Sequence, residues 1–209
     1  MGKMKKWRLP LIISAISCFT ILIVLVKSGL LDSLNEKILR FFIGIRTPFL
    51  TVFMKICTML GNWYAYVMLC AVLLIPKKTR HFAISLGGLL VLSDGVKTLL
   101  KIVLLVPRPD LPQLVYASGF GFPSGHTMAG FCLAFWSILS LYKSGRYKKQ
   151  RAFAAACMLL IAALIAVSRV YLGVHSPTDI LGGFFAATAV SLCYTQLYTK
   201  YLKKFATKL

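Results

Sequence analysis

The sequence predicts an all-α integral membrane protein, a six-transmembrane-helix bundle with a short amphipathic interfacial helix after the first span. Three observations carry this. Of the 209 residues, 58% are hydrophobic and only 14% charged, and the mean hydropathy is +0.78, beyond what a soluble domain of this length carries. The apolar residues gather into six stretches, each near the length that crosses a bilayer as a helix. Basic residues collect at those ends of the stretches that share one side. The length fits a single domain over residues 1–209.

The first stretch, residues 9–26, follows the basic start MGKMKKWR. This resembles a secretion signal, but the apolar run matches a full span and no small-x-small cleavage site follows, so an uncleaved first helix is expected. Next comes LLDSLNEKILRFFIGI. Leu31, Leu34, Ile38, Phe41 and Ile45 recur there at helical spacing between Asp32, Asn35, Glu36 and Arg40. The pattern reads as a helix lying in the interface, with Ser33 and Glu36 as its capping box; a connecting helix on the aqueous side fits equally. The second span, 52–75, is interrupted by Gly61 and Asn62 and carries Lys55 near its start, which marks part of it for a place outside the hydrocarbon. The remaining spans are 82–105, 124–142, 152–170 and 179–199.

The formal net charge is +20. In a soluble chain that would suggest nucleic acid, but no aromatic-basic surface pattern accompanies it, and nucleic-acid binding is excluded as a function class. In a membrane protein the same excess belongs to cytoplasmic loops and to contact with anionic lipid. Lys3, Lys5, Lys6 and Arg8 precede the first span, and Lys77, Lys78 and Arg80 follow the second. Lys143, Arg146, Lys148, Lys149 and Arg151 follow the fourth, and Lys200, Lys203, Lys204 and Lys208 follow the sixth. This places both termini in the cytoplasm of a multi-pass protein of the plasma membrane, and turns the loops after the third and fifth spans outward. The six cysteines lie inside apolar runs without C-x-x-C spacing and read as small apolar residues. Trp7, Trp63, Tyr66 and Trp136 suit either an interfacial belt or a core, and His81 reads as an inner-interface residue.

Three stretches then fall at the outward face. In KIVLLVPRP, Lys101 stands near the end of the third span and Arg108 seven residues on. A lysine at a helix end commonly snorkels, while one inside a membrane marks function. In FPSGH, Pro123 and Ser124 suit a helix start, Gly125 lets backbone approach a ligand, and free N–H groups there favour phosphate. A cap explains the proline and serine but leaves His126 without a reason. In SRVYLGVHSPTD, Arg169 closes the fifth span, His175 sits in the next loop, and Ser176 to Asp179 form a helix start. Asp179 there is a capping-box acid that also reaches back to His175. Three cations, a helix N-terminus, two histidines and a carboxylate at one face describe phosphoryl transfer: charge neutralisation, one histidine attacking and the other protonating the leaving oxygen. On the third span Asp94, Lys97 and Lys101 share a face, and Asp94 is expected to pair with Lys97 and so help position Lys101.

These three stretches resemble the motifs of the type-2 phosphatidic acid phosphatase superfamily of membrane lipid phosphatases. Its patterns K-x-x-x-x-x-x-R-P, P-S-G-H and S-R-x-x-x-x-x-H-x-x-x-D occur in order at Lys101 to Arg108-Pro109, at Pro123-Ser124-Gly125-His126, and at Ser168-Arg169 to His175 and Asp179. The motif core covers residues 94–183 and the six-span layout nearly the whole chain; within the family the likeness is to short bacterial enzymes of the phosphatidylglycerophosphatase B type. Many relatives carry R-x-R-P where this chain has Val106. The resemblance implies that His175 is the nucleophile that forms a phosphohistidine, that Asp179 orients it, and that His126 is the acid to the leaving alkoxide. It implies that Lys101, Arg108, Ser124, Gly125 and Arg169 hold the phosphate, with Pro109, Pro123, Asp94 and Lys97 in support. No metal or other cofactor is implied. The expected partners are a phosphorylated membrane lipid and the bilayer, and the expected substrate is phosphatidylglycerophosphate or phosphatidic acid. Undecaprenyl diphosphate is the alternative substrate, and a non-catalytic translocator or scaffold a remote one, since a scaffold has no use for this set of ionisable groups.

Overall fold

The computed structural model describes residues 2–144 and 150–198, with side chains from residue 8 to 142 and from 150 onward. The terminal basic residues Lys3, Lys5, Lys6, Lys200, Lys203, Lys204 and Lys208, the loop residues Lys143, Arg146, Lys148 and Lys149, and Trp7 therefore lie outside the described side chains. Among the described residues there are eight helices and no strand. They are α1 (Gly2–Lys27), α2 (Asp32–Gly44), α3 (Pro48–Met59), α4 (Trp63–Leu74), α5 (Lys77–Leu104), α6 (Gly125–Ser144), α7 (Arg151–Tyr171) and α8 (Pro177–Leu197). Four of them, α1, α5, α7 and α8, are long and apolar enough to cross a membrane, and α3 with α4 make a fifth if the bent pair is one span.

The expected second span is thus two helices that meet at 54°. The break falls at Gly61 and Asn62, the two residues that interrupted the apolar run. Gly61 is there for want of room: a Cβ would lie 2.6 Å from Cγ2 of Ile165 and 2.9 Å from Cδ2 of His126. Beyond the break the halves part company, α3 packing on α7 and α4 on α5. The amphipathic helix forms as α2, but the capping box at Ser33 and Glu36 does not. Leu31 occupies the cap position without a side-chain bond, and Glu36 instead pairs with Arg40 one turn on, at 2.6 Å.

α6 and α8 form the centre, with α7 and α5 against α6 and α1 against α8. One half of the core is aromatic: Trp136, Tyr194 and Tyr198 stack around Leu86, Leu89 and Cys132. His81 belongs to this cluster, since its Nε2 lies 2.5 Å from the Tyr198 hydroxyl and ties α5 to the end of α8. Trp136 is core, with its indole N–H donating to Ser85 Oγ at 3.2 Å, whereas Trp63 is exposed. A second cluster of Met54, Tyr171, Leu172 and Val174 lies at the other end. That end carries the long connection between α5 and α6, which starts at Leu105 in the left-handed region (φ 52°). Phe122 is fully buried from this connection, stacked on Phe19 of α1 at 5.6 Å. It sits so close to α8 that a Cβ on Gly182 would fall 2.4 Å from its ring.

Candidate active site

α8 begins with a capping box. Ser176 Oγ accepts from the N–H of Asp179 at 3.3 Å, and Asp179 Oδ2 accepts from the N–H of Ser176 at 3.0 Å. Pro177 fills the first helical turn. The same Oδ2 accepts from Nδ1 of His175 at 3.0 Å, with both side chains buried. The cap and the histidine partner are one carboxylate. On the other side of the ring, Nη1 of Arg108 lies 3.2 Å from Nε2. An arginine only donates, so Nε2 is the acceptor and the ring proton is on Nδ1. Burial pushes the His175 imidazole down to about 4, against the opposing pull of Asp179. At neutral pH it is therefore an uncharged ring whose Nε2 lone pair is held by Arg108.

Arg108 is fixed from three directions. Its Nη1 also donates to the carbonyl of Val174 at 2.7 Å, Nη2 to that of Ser118 at 2.9 Å, and Nε to that of Gly119 at 3.0 Å. Burial lowers its pKa from the usual arginine value, with Asp179 opposing. Lys101 donates to the carbonyls of Phe120 and Gly121. The segment 118–121 thus lies across both cations. Arg169 donates from Nη1 to Thr58 Oγ1 at 2.6 Å, while its buried Nε has no partner among the described residues.

Ser124 and Thr127 are fully buried at the start of α6, with the Thr127 hydroxyl donating to Ser124 Oγ at 3.1 Å. The Ser124 N–H donates to the carbonyl of Asp179 at 3.0 Å, which locks this turn to α8. The first helical bond here runs from Met128 N–H to Ser124 C=O, at 3.0 Å. The N–H groups of Gly125, His126 and Thr127 precede the ladder and are available to an anion. His126 lies close enough to Arg169, His175, Arg108 and Lys97 to interact electrostatically with all four.

The structure pairs Lys97 with Asp94 as the spacing predicts. The pair does not hold Lys101, which reaches the loop carbonyls instead. The stem of Lys97 lies along Gly125, where a Cβ would meet its Cδ at 2.7 Å. Pro109 borders a smaller cavity of about 470 Å³ with Arg108, Asp110 and Ser176, and Pro123 follows Phe122 through a cis bond.

Three further residues contact this site or the segments that carry it, and were not singled out as site residues from the sequence. Asn62, at the bend between α3 and α4, has Oδ1 2.8 Å from Nε2 of His126 and donates from Nδ2 to Tyr64 Oη at 2.6 Å. The amide oxygen can only accept, so Nε2 of His126 carries a proton and Nδ1 faces no partner among the described residues. Asn35 of α2 donates to Thr178 Oγ1 at 3.0 Å and accepts from Thr178 N–H at 3.3 Å, holding the first turn of α8. Arg46 donates to the carbonyls of Tyr171, at 2.9 Å, and Pro112, at 3.0 Å, joining the end of α7 to the long connection. A polar residue in an apolar run was the available signal for Asn62. Asn35 gave none, because it read as the solvated side of a surface helix, and neither did Arg46, a single basic residue just past the end of that helix.

A groove of about 840 Å³ opens beside His126. Asn62, Asp94, Lys97, Gly125 and His126 form its mouth; Val67, Leu74, Leu90 and Val91 lead away between α4 and α5. An anion held at the start of α6 would have His175 on one side and His126 with the apolar groove near it.

The PAP2 superfamily model matches residues 82–203. Phosphatidylglycerophosphatase B of Bacillus subtilis is 35% identical over 175 residues, covering 79% of this chain and 84% of the relative. Human dolichyldiphosphatase 1 is 29% identical over 151 residues, 64% of this chain and 63% of the relative. Among solved structures, a transmembrane PAP2-type phosphatidylglycerolphosphate phosphatase from Bacillus subtilis superposes with a TM-score of 0.81 at 28% identity, over 91% of this chain and 96% of that one. LpxE of Aquifex aeolicus superposes with a TM-score of 0.65 at 26% identity, over 78% and 95%.

Proposed function

The chain belongs to the PAP2 superfamily and is a multi-pass membrane lipid phosphatase, and from that premise we propose that it removes the terminal phosphate of a glycerophospholipid, phosphatidylglycerophosphate or phosphatidic acid. The observation that carries this reading is the neutral His175, held between Asp179 and Arg108, near the mouth of an apolar groove whose rim holds His126. A phosphate there satisfies the orphan Nε of Arg169 and the N–H groups that open α6, and draws Arg108 off the His175 lone pair.

Nε2 of His175 then attacks phosphorus. The N–P bond forms as the P–O bond to the lipid breaks, and Asp179 stabilises the positive charge that develops on the ring. The lipid alkoxide is a poor leaving group and takes a proton from Nδ1 of His126: the ring acquires that second proton as the anionic phosphomonoester binds, acts as the imidazolium, and keeps its Nε2–H on Asn62 throughout. Water next attacks the phosphohistidine, His126 removes its proton, and inorganic phosphate departs. Every step uses side chains of this chain and no metal.

Six crossings fit this chemistry: α1, the bent pair α3 and α4, α5, α6, α7 and α8, in a single domain with both termini in the cytoplasm. The active site then faces outward, and α2 lies in the outer interface with its exposed Leu34 and Phe41 against lipid. Reporter fusions after Lys78 or Lys148 test the orientation and should read as cytoplasmic. Phosphate release from phosphatidylglycerophosphate, phosphatidic acid and undecaprenyl diphosphate, measured in mixed micelles with excess EDTA, tests the reaction. Turnover of the first two is expected, with inhibition by vanadate. Activity lost on chelation and restored by Mg²⁺ would refute the histidine mechanism, and a preference for undecaprenyl diphosphate would move the enzyme to pyrophosphate lipids.

A further inference from the structure

We propose that Tyr66 reads the glycerol-ester region of a phosphatidic acid substrate, its hydroxyl donating a hydrogen bond to an ester carbonyl of the lipid seated in the groove. This rests on the reading of the chain as a glycerophospholipid phosphatase, with phosphatidic acid as the lipid. Tyr66 lies on α4, is 6% exposed and lines the groove. Its hydroxyl is one of two buried side-chain polar atoms without a hydrogen-bond partner among the described residues. The other, Arg169 Nε, already belongs to the phosphate site. A buried hydroxyl left unpaired is unfavourable, and such a group in a ligand cavity points to a polar atom that arrives with the ligand.

Position says which atom. Asn62 and Tyr66 are one turn apart on the α4 side, and His126 and Gly130 one turn apart on α6. Both helices run away from the site, and the two pairs face each other: Asn62 bonds His126, and the Tyr66 hydroxyl lies 3.7 Å from where a Cβ on Gly130 would be. Four residues of helix rise about 6 Å, so the hydroxyl sits about that far below the leaving-group acid. In phosphatidic acid the ester carbonyls stand a comparable distance from phosphorus, past the glycerol oxygen that His126 protonates, whereas in phosphatidylglycerophosphate that depth holds the headgroup glycerol and its phosphodiester. A polyprenyl phosphate offers only hydrocarbon at that depth and leaves the hydroxyl unpaired. The rest of the groove wall below this point, Val67, Leu74, Leu90 and Val91, suits acyl chain.

The test compares wild type and Tyr66→Phe, as full-length protein in mixed micelles, on three substrates: diester phosphatidic acid, its diether analogue with the same chains, and a polyprenyl phosphate. Loss of one neutral hydrogen bond should lower kcat/KM for the diester about 3–10-fold. The diether and polyprenyl substrates should change by less than about twofold, because neither offers a carbonyl. An equal loss on diester and diether would assign Tyr66 to packing and overturn the proposal. An unchanged diester rate, with the diester a good wild-type substrate, would overturn it while leaving the glycerophospholipid reading intact. A wild-type enzyme that turns over only the polyprenyl substrate would remove that reading and this inference with it.

Discussion

Arg108 occupies the free lone pair of His175: Nη1 lies 3.2 Å from Nε2, while the other ring nitrogen donates to Asp179. The guanidinium therefore fixes the tautomer of the resting ring, and in the proposed reaction a phosphate oxygen draws it away. The consequences fall first on the pH dependence.

Burial holds His175 near 4 and Asp179 pulls it upward. The ring is a nucleophile only when neutral, so turnover should fall as pH drops through about 4. Asp179→Asn removes the upward pull, and the acid limb should move to lower pH, with kcat at pH 7 reduced about 10²-fold or more. The asparagine oxygen can still accept from the Ser176 N–H and close the capping box, so the melting temperature should change little. Wild-type turnover in a destabilised variant would reduce Asp179 to its capping role.

His175→Ala should abolish turnover of every substrate and yield no trapped phosphoenzyme. His126→Ala should lose about 10²–10⁴ in rate on lipid but far less on an activated aryl phosphate, whose leaving group needs no proton. Single-turnover phosphate release on both substrates separates the two roles. Equal losses on lipid and aryl phosphate in His126→Ala would contradict the assignment.

Asn62→Ala should copy His126→Ala in miniature. It frees the acid ring to turn, so the lipid reaction should slow about 10-fold with the aryl phosphate reaction nearly unchanged. Asn62→Asp, which keeps an oxygen acceptor on Nε2, should recover part of the loss. If both substrates suffer alike and the aspartate rescues neither, Asn62 serves only the bend between α3 and α4.

Gly182→Ala should destabilise by about 1–3 kcal/mol, because its Cβ would overlap the buried Phe122 ring held between α8 and α1. Phe122 leads directly into Pro123 and Ser124, so activity per folded molecule should drop as well. Thermal melting beside specific activity measures both, and a variant as stable and active as wild type would show that Phe122 yields without consequence.

The membrane class, the positions of five of the long helices, and the polar residues at their shared end follow from the sequence alone. The apolar runs are near a bilayer's width, and a charged or imidazole side chain at the end of such a run needs a reason. The helix start at Ser176 to Asp179 was equally legible, since a capping box is local chemistry. Tertiary structure decided what depends on neighbours far along the chain. The second apolar run bends at Gly61, where the His126 and Ile165 side chains leave no room for a side chain. Glu36 leaves the expected cap for Arg40, because two charged groups one turn apart reach each other directly. Lys101 goes to the carbonyls of Phe120 and Gly121 rather than to the Asp94–Lys97 pair. Asn62, Asn35 and Arg46 acquire their roles only when α2 and the bend are folded against α6, α7 and α8. Spacing along one helix fixes which residues share a face, but which face meets a given histidine is set by packing between helices.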